Sequence, residues 1–119
     1  MKKKKPKIKR RREMYKSIRI IYGSSIEERM DTLLKEREVK KYIKVPNIHG
    51  VWGEKVKHMN THVWPGTDSV IMVIVDMATA KNLSEDLKKL KEDLKADDIN
   101  APFIAIFSPI DEIIENSLF

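Results

Sequence analysis

Six consecutive apolar residues at positions 70–75 constrain the fold of this chain more than any other feature of its sequence. Side chains of a strand alternate between the two faces of a sheet, so this run places apolar groups on both faces. A strand that is covered on both faces, or one that is central in its sheet, has this pattern. We therefore expect a sheet that is buried on both sides.

Three further strands are predicted around this run, at residues 17–23, 42–45 and 102–107. Pro46 interrupts or frays the second of them, because proline cannot donate a hydrogen bond to a neighbouring strand. Residues 46–67 are predicted to be irregular, since prolines and glycines occur near both ends of this polar, aromatic segment.

Two helices are predicted between the strands. The first has apolar residues at helical spacing from Ile26 and is expected to end near Lys40, and Ser24 and Ser25 each stand three residues before a glutamate, a doubled capping-box pattern. The second follows Asp76 as its N-cap and buries a stripe of four leucines. A short terminal helix is expected from Ser108.

The resulting order, β-α-β-β-α-β, predicts an α+β, ferredoxin-like fold. It consists of a four-stranded antiparallel sheet with both helices on one face and a long loop between strands 2 and 3. The other face of the sheet has no helix to cover it. Because that face carries apolar residues, we expect an oligomer.

Charge divides the chain into a basic N-terminal arm, residues 1–16, and a folded domain, residues 17–119. The arm holds ten positive charges and one negative, whereas the rest holds 14 positive and 17 negative. The arm could bind RNA, phosphate or an anionic membrane, or it could be a solvated extension. A dedicated nucleic-acid domain would carry its charge on the folded surface, so nucleic acid is an unlikely partner.

Cysteine is absent, which excludes a disulfide scaffold, a thiol nucleophile and a cysteine-ligated zinc site. No apolar run reaches the roughly 20 residues that cross a bilayer, and no apolar stretch of a secretory signal follows the basic start. We therefore expect a cytoplasmic protein. No P-loop, nucleophile elbow or other catalytic motif is present, so the chain is not expected to be an enzyme.

Functional residues are expected in the loop 46–67, which is longer than a hairpin needs and rich in aromatic and histidine residues. His49, His58 and His62 follow a loose H-x8-H-x3-H spacing, with Glu54 and Asp68 as nearby carboxylates. Imidazole is a ligand for zinc, copper, nickel or cobalt, so His58 and His62 are the candidate metal ligands. The alternative is a set of surface or hydrogen-bonded histidines.

Tryptophans and glycines of the same loop are the other candidates for ligand binding. Trp52 and Trp64 could stack a flat ligand such as an adenine ring, or pack into a subunit interface. Gly50, Gly53 and Gly66 could bring backbone N–H groups close to a phosphate, or only permit turns.

Two short pieces of the sequence resemble the PII-like signalling superfamily. One consists of residues 49–53, His-Gly-Val-Trp-Gly, with the later segment 61–76, in which Pro-Gly-Thr-Asp-Ser opens the apolar strand. The other is the segment 107–114, which resembles the family's last strand and its acidic continuation. The similarity spans roughly residues 17–115.

This resemblance implies a non-enzymatic regulatory protein that forms a homotrimer. Its small effectors, typically adenine nucleotides or in some branches metals or bicarbonate, would bind in clefts between subunits. The loop 46–67 would engage a partner such as a membrane transporter or an enzyme. The residues placed at or beside the cleft are His49, Gly50, Trp52, Gly53, His62, Trp64 and Gly66. The resemblance specifies neither the effector nor a cofactor, so both are unknown.

One segment departs from the pattern of nucleotide-binding PII proteins. Where they have a glycine-rich, basic phosphate loop, residues 95–102 are acidic and lack glycine, so we expect them to repel phosphates. A CutA-like trimeric protein that binds divalent metals is therefore an alternative. A second alternative is a nucleic-acid-binding module that uses the basic arm.

Overall fold

The computed structural model describes residues 14–116 as a four-stranded sheet with two helices packed on one face. The basic residues 1–13, which form most of the predicted arm, lie outside the described range. The strands and helices occur in the order β1 (Tyr15–Gly23), α1 (Glu27–Glu36), β2 (Ile43–Ile48), β3 (Gly50–Val51), β4 (Lys57–His58), β5 (Asp68–Asp76), α2 (Met77–Ala96) and β6 (Phe103–Pro109).

The four main strands lie in the order β2-β5-β1-β6, and all neighbouring strands are antiparallel. β5, which contains the apolar run, is therefore a central strand as predicted. Its register with β1 is continuous from Tyr15 opposite Asp76 to Gly23 opposite Asp68. This arrangement confirms the predicted α+β, ferredoxin-like fold with a long connection between β2 and β5.

The hydrophobic core lies between the sheet and the two helices. Alternate residues of the central strands, such as Ile18, Ile20 and Ile71, are fully buried against the predicted leucine stripe of α2 and against Met30 of α1. Burial of these apolar side chains is the main favourable term in the stability of such a domain. Neither helix in the described part of the chain combines the length and apolar character needed to cross a bilayer.

The opposite face of the sheet is apolar and exposed in the single chain. Met72, Ile74 and Ile106 are 36–38% exposed there, while Ile43 and Ile104 reach 62% and 47%. Ile43 of β2 pairs with Met72 of β5, and Ile104 of β6 pairs with Ile21 of β1, while the exposed Arg19 of β1 lies between Met72 and Ile106 on this face. We call this surface the open face; within residues 14–116 no helix packs on it.

The predicted capping boxes of α1 are wrong. Residues 24–26 form a turn of 3-10 helix, and α1 begins at Glu27 without a side-chain cap. The Ser24 hydroxyl instead hydrogen-bonds the Thr67 hydroxyl at 3.0 Å, and Glu27 faces the end of the sheet. Long-range partners compete successfully with a local capping pattern here, because a cap contributes only about 1 kcal/mol. The helix ends at Glu36, earlier than expected.

Other boundaries also differ from the prediction. β1 starts at Tyr15, two residues earlier than expected, and β2 continues through Pro46 to Ile48. The proline is tolerated because β2 is an edge strand whose pairing shifts register after Val45. The predicted terminal helix is wrong: β6 extends to Pro109, and residues 110–116 are not helical.

Candidate functional site

The segment predicted to be irregular contains a small hairpin that is fixed to the sheet by one buried carboxylate. β3 and β4 pair Gly50 with His58. Asp68, the first residue of β5, is 1% exposed. Its carboxylate accepts a hydrogen bond from Trp52 Nε1 at 2.9 Å and pairs with His58 Nδ1 at 2.5 Å. We call Trp52, His58 and Asp68 the loop anchor.

The anchor satisfies a group that would otherwise be costly to bury. A carboxylate out of contact with water needs donors for its oxygens, and here each oxygen has one. A carboxylate only accepts hydrogen bonds, so the Nδ1 nitrogen of His58 is the donor. The other ring nitrogen, Nε2, is not part of this hydrogen bond. The anchor therefore fixes the position of the His58 ring and favours a proton on Nδ1.

Two of the predicted glycines are required by this packing. A Cβ atom on Gly50 would lie 2.9 Å from Asp68 Cγ and would overlap Oδ2, so only glycine fits beside the carboxylate. Gly66 has a φ of 89°, which glycine adopts without strain, and lies next to the His58 ring. Gly53 has open space around its Cα and makes no such contact. These observations explain Gly50 and Gly66 by close packing and turn geometry.

Trp64 is held at the far side of the loop by contacts within the loop. The Trp64 amide donates to Thr61 Oγ1 at 2.9 Å, and the Lys57 ammonium lies 5.0 Å from the centre of the indole ring. This distance is typical of a cation–π contact. Trp52 and Trp64 thus have separate tasks, one in the anchor and one in the loop.

The histidines do not converge. His49 and His62 have exposed side chains that make no hydrogen bond or ion pair within residues 14–116, whereas His58 is in the anchor. In the same range, no three histidine or acidic residues come close enough to hold a metal ion. The ligand pair of His58 and His62 therefore stays a prediction.

A second polar cluster surrounds Glu27 on the helix side of the same sheet end. Its carboxylate accepts hydrogen bonds from Tyr22 at 3.0 Å and Ser69 at 3.1 Å, and it forms an ion pair with Lys44 at 2.7 Å. Lys44 also contacts Asp31 at 2.6 Å. We call this set the Glu27 network.

The Glu27 network shifts the pKa values of its members. Burial would raise the pKa of Glu27, but hydrogen bonds from Lys44, Tyr22 and Ser69 outweigh it and lower the value. Burial and the contact with Glu27 raise the pKa of Tyr22. Burial would lower the pKa of Lys44, but its contacts with Asp31 and Glu27 dominate and raise it. The network therefore keeps one carboxylate and one ammonium charged at neutral pH.

A cleft of about 680 Å³ lies where α2 ends and β6 begins. Its polar lining comes from Lys91, Lys95, Asp98 and Asn100. Asp97 instead forms an ion pair with Arg29 at 3.2 Å. The apolar lining of the cleft is Leu94, Ile99, Ala101, Pro102 and Phe103.

The cleft as a whole is less acidic than residues 95–102 alone, for which we expect repulsion of phosphates. Two lysines and one aspartate line it, and Asp97, the other acidic residue of this segment, forms its ion pair with Arg29. Residues 95–102 alone do not reveal this charge, because Lys91 lies one helical turn before Lys95 and Arg29 lies on another helix. A lysine pair at i, i+4 before an apolar loop was the signal available.

The cleft and the loop anchor lie at the same end of the sheet. Gly23 connects them: its amide donates to the Pro102 carbonyl at 3.0 Å. A Cβ atom on Gly23 would lie 3.3 Å from His58 Cε1 and 3.4 Å from Pro102 Cδ. The anchor histidine is therefore close to one wall of the cleft.

Asp68 was missed as a functional residue, since its sequence position marked it only as a carboxylate near the histidines. The available signal was an acidic residue that opens an otherwise apolar central strand. A charged group at such a position is buried only where partners satisfy it.

No family model matches the sequence, and neither does any curated protein. Solved structures do match. The CPII protein of Thiomonas intermedia K12, a nitrogen regulatory PII-like protein bound to ADP, AMP and bicarbonate, aligns with a TM-score of 0.60 and 20% identity. The alignment covers 81% of this chain and 91% of CPII. A CPII structure with ADP and bicarbonate has a TM-score of 0.58 at 18% identity, over 82% and 89% of the two chains.

A putative PII-like signalling protein of Thermus thermophilus is also similar. Its TM-score is 0.55 at 22% identity, and the alignment covers 81% of this chain and 86% of that protein. At this level of identity the similarity establishes the fold, which is that of PII-like proteins. The resemblance seen in two short sequence pieces is thereby confirmed for the fold of the domain.

Proposed function

We propose that this protein is a non-enzymatic regulator that binds a small anionic effector in the cleft and signals through loop 46–67. The observation that carries the proposal is the position of the cleft, which adjoins the anchor of that loop at Gly23 and Pro102. An effector seated there would be in reach of the loop base. The ligands of CPII, ADP, AMP and bicarbonate, are anions of the required kind.

The chemistry of the cleft supports an adenine nucleotide as the first effector to test. Lys91 and Lys95 supply positive charge for phosphate, and Phe103 and Pro102 supply an apolar wall for a base. A cleft of about 680 Å³ is in the size range of small-molecule sites. Bicarbonate would bind near the two lysines without contacting the apolar wall.

The exposed loop residues would form the signalling surface. His49, His62 and Gly53 are exposed, and Trp64 is partly buried under Lys57. We propose that these residues contact the effector or a protein partner, such as a transporter or an enzyme, when the loop moves. Gly50, Trp52 and Gly66 would position the loop. Divalent metals are included in the titrations described below, because His58 and His62 are the predicted metal ligands.

We further propose that three copies of the chain associate through the open face. Its large apolar residues are exposed in the single chain around Arg19, and an exposed apolar surface is typical of an interface. Light scattering should give a mass of about three times 13.9 kDa. Met72→Lys, which places a second positive charge opposite Arg19 on the open face, should shift the mass toward a monomer.

Calorimetric titration tests the effector site. Wild-type protein is titrated with ATP, ADP, AMP, cyclic AMP, bicarbonate and divalent metals. We expect binding of at least one anion, and a loss of about tenfold in affinity for Lys95→Ala, since one charge-assisted contact contributes about 1.5–3 kcal/mol. Lys81→Ala is the matched control, because Lys81 is exposed on the same helix outside the cleft. Heat of binding for none of these anions would refute the anionic-effector proposal, and binding of a metal alone would favour the CutA-like alternative.

A further inference from the structure

We propose that Asp68 is the positioning residue of the signalling loop: its buried carboxylate is the polar link that holds residues 50–66 against the sheet. Effector binding depends on this link if the function proposed above is correct. The positioning role itself rests only on the geometry of the loop and can be tested without an effector.

The backbone of Asp68 is held on both sides. It is the first residue of β5, and it is in register with Gly23 of β1 and Ile48 of β2. Side chains alternate along a strand, so Asp68 lies on the opposite face from Ser69 and Ile71, which face the helices. The carboxylate therefore points from a fixed strand toward the open-face side of the sheet.

Its two donors come from the two sides of the hairpin. Trp52 directly follows β3, and His58 ends β4, so the carboxylate holds the outgoing and the returning chain together. Gly50 packs directly against the same carboxylate. Removal of one oxygen acceptor would release one side of the hairpin, and removal of the carboxylate would release both.

The other hydrogen bonds of this segment do not connect it to the sheet. Within the described part of the chain, the amides of Trp52, Met59 and Asn60 bond to carbonyls of the segment itself, as do the Thr61 and Trp64 groups. The Lys57–Trp64 contact is also internal. Within the described range, the side-chain hydrogen bonds from residues 50–66 to β5 thus go to Asp68, while Thr67, the next residue of the loop, is held separately by the amide and hydroxyl of Ser24.

The small number of these attachments makes the conformation of the loop suitable for control by a ligand. The free energy of local opening is set by the contacts that are lost, and these include the two hydrogen bonds to Asp68. His58 lies next to Gly23, close to the cleft. An effector that contacts His58 would therefore act on its hydrogen bond to Asp68, which fixes the loop. The anchor therefore joins the site of binding to the conformation of the loop.

Limited trypsin digestion of the full chain tests the anchor. Cleavage after the exposed Lys55 is followed by mass spectrometry under native conditions. Asp68→Ala should raise the cleavage rate about tenfold or more, and Asp68→Asn, which keeps an acceptor for Trp52, should raise it less. Asp76→Asn, at the other end of the same strand, is the matched control and should leave the rate unchanged.

Single-donor variants keep the test decisive if Asp68→Ala fails to fold. Trp52→Phe and His58→Gln each remove or alter one donor and leave the carboxylate in place, and each should raise the Lys55 cleavage rate by several-fold. A cooperative thermal transition shows that the variants are folded. Rates equal to the wild-type rate in the folded variants would overturn the positioning role.

Effector titration separates the two proposals. If wild-type protein binds an effector, Asp68→Asn should weaken binding while Asp76→Asn does not, and equal affinities would contradict the link between anchor and site. If wild-type protein binds none of the tested effectors, the proposed function fails, but the cleavage rates still decide whether Asp68 positions the loop.

Discussion

The two ends of β5 carry the same residue type in opposite situations. Asp76 is exposed and caps α2 by accepting from the Thr79 amide at 2.7 Å and the Thr79 hydroxyl at 3.0 Å. Asp68 is buried, and its partners lie 10 and 16 positions earlier in the chain. Asp76 fixes the first turn of the helix that follows it. Asp68 instead fixes a loop that precedes it in the chain and contains Trp52.

The pKa of Asp76 reflects its local role. The hydrogen bond from the Thr79 amide lowers this pKa, and the partial burial of the carboxyl, which would raise it, is outweighed. This is the usual behaviour of an N-cap carboxylate at the positive end of a helix. Any good cap can therefore fill this short-range role, whereas the role of Asp68 depends on its whole surroundings.

The largest effect is expected where the loop end is most crowded. Gly50→Ala places a methyl group in overlap with Asp68 Oδ2, so the hairpin has to move away from the carboxylate. We expect a loss of about 2–4 kcal/mol in the free energy of unfolding, from overpacking and from weakened hydrogen bonds to Asp68. Chemical denaturation measures this loss.

Gly53→Ala is the matched control for Gly50→Ala. Gly53 lies three residues later in the same loop, and a methyl group there meets nothing within 4 Å. Its effect should be within about 0.5 kcal/mol, as for most surface substitutions. Equal losses of unfolding free energy in the two variants would mean that loop entropy, and not contact with Asp68, explains both. The comparison of the two ends of β5 would then lose its physical basis.

A smaller effect is expected at the helix end. Asp76→Ala removes the cap of α2 and should lower the free energy of unfolding by about 1 kcal/mol. Asp76→Ser should restore most of it, because serine also accepts a hydrogen bond from the third residue of the helix. Thermal denaturation of the three proteins measures the series. A serine variant as unstable as the alanine variant would show that Asp76 has a role beyond capping.

The same contrast explains what the sequence could predict. The capping of α2 by Asp76, the leucine stripe and the central position of the apolar run depend on short-range spacing and alternation, and all were predicted. The open face was expected because no predicted helix remained to cover it. Periodicity is a property of neighbouring residues, so it is visible in one sequence.

The loop anchor and the cleft were beyond such reasoning because their partners are distant in sequence. Asp68 and Trp52 are 16 residues apart, and Arg29 and Asp97 are 68 residues apart. The same cause made the capping boxes wrong, since Glu27 bonds to groups on β1, β2 and β5. Tryptophan, histidine and glycine were identified as special in the loop, but the carboxylate that joins them was not.

The smallest effect concerns the Glu27 network, which lies at the loop end but is partly open to solvent. Because the pKa of Glu27 is lowered from its ordinary value of 4.5, its charged form stabilises the fold above that value. This contribution is lost as the pH falls through the lowered pKa, since protonation removes the charge that the partners of Glu27 stabilise. We expect Glu27→Gln to cost about 1 kcal/mol at neutral pH, a modest figure because solvent screens the Lys44 ion pair.

The cost of Glu27→Gln should shrink on acidification, as measured by denaturation of wild type and variant from pH 7 to pH 3. Glu28→Gln, an exposed neighbour without a hydrogen bond or ion pair in the described range, should run parallel to wild type. A Glu27→Gln difference that stays constant with pH would show that the side chain acts by packing.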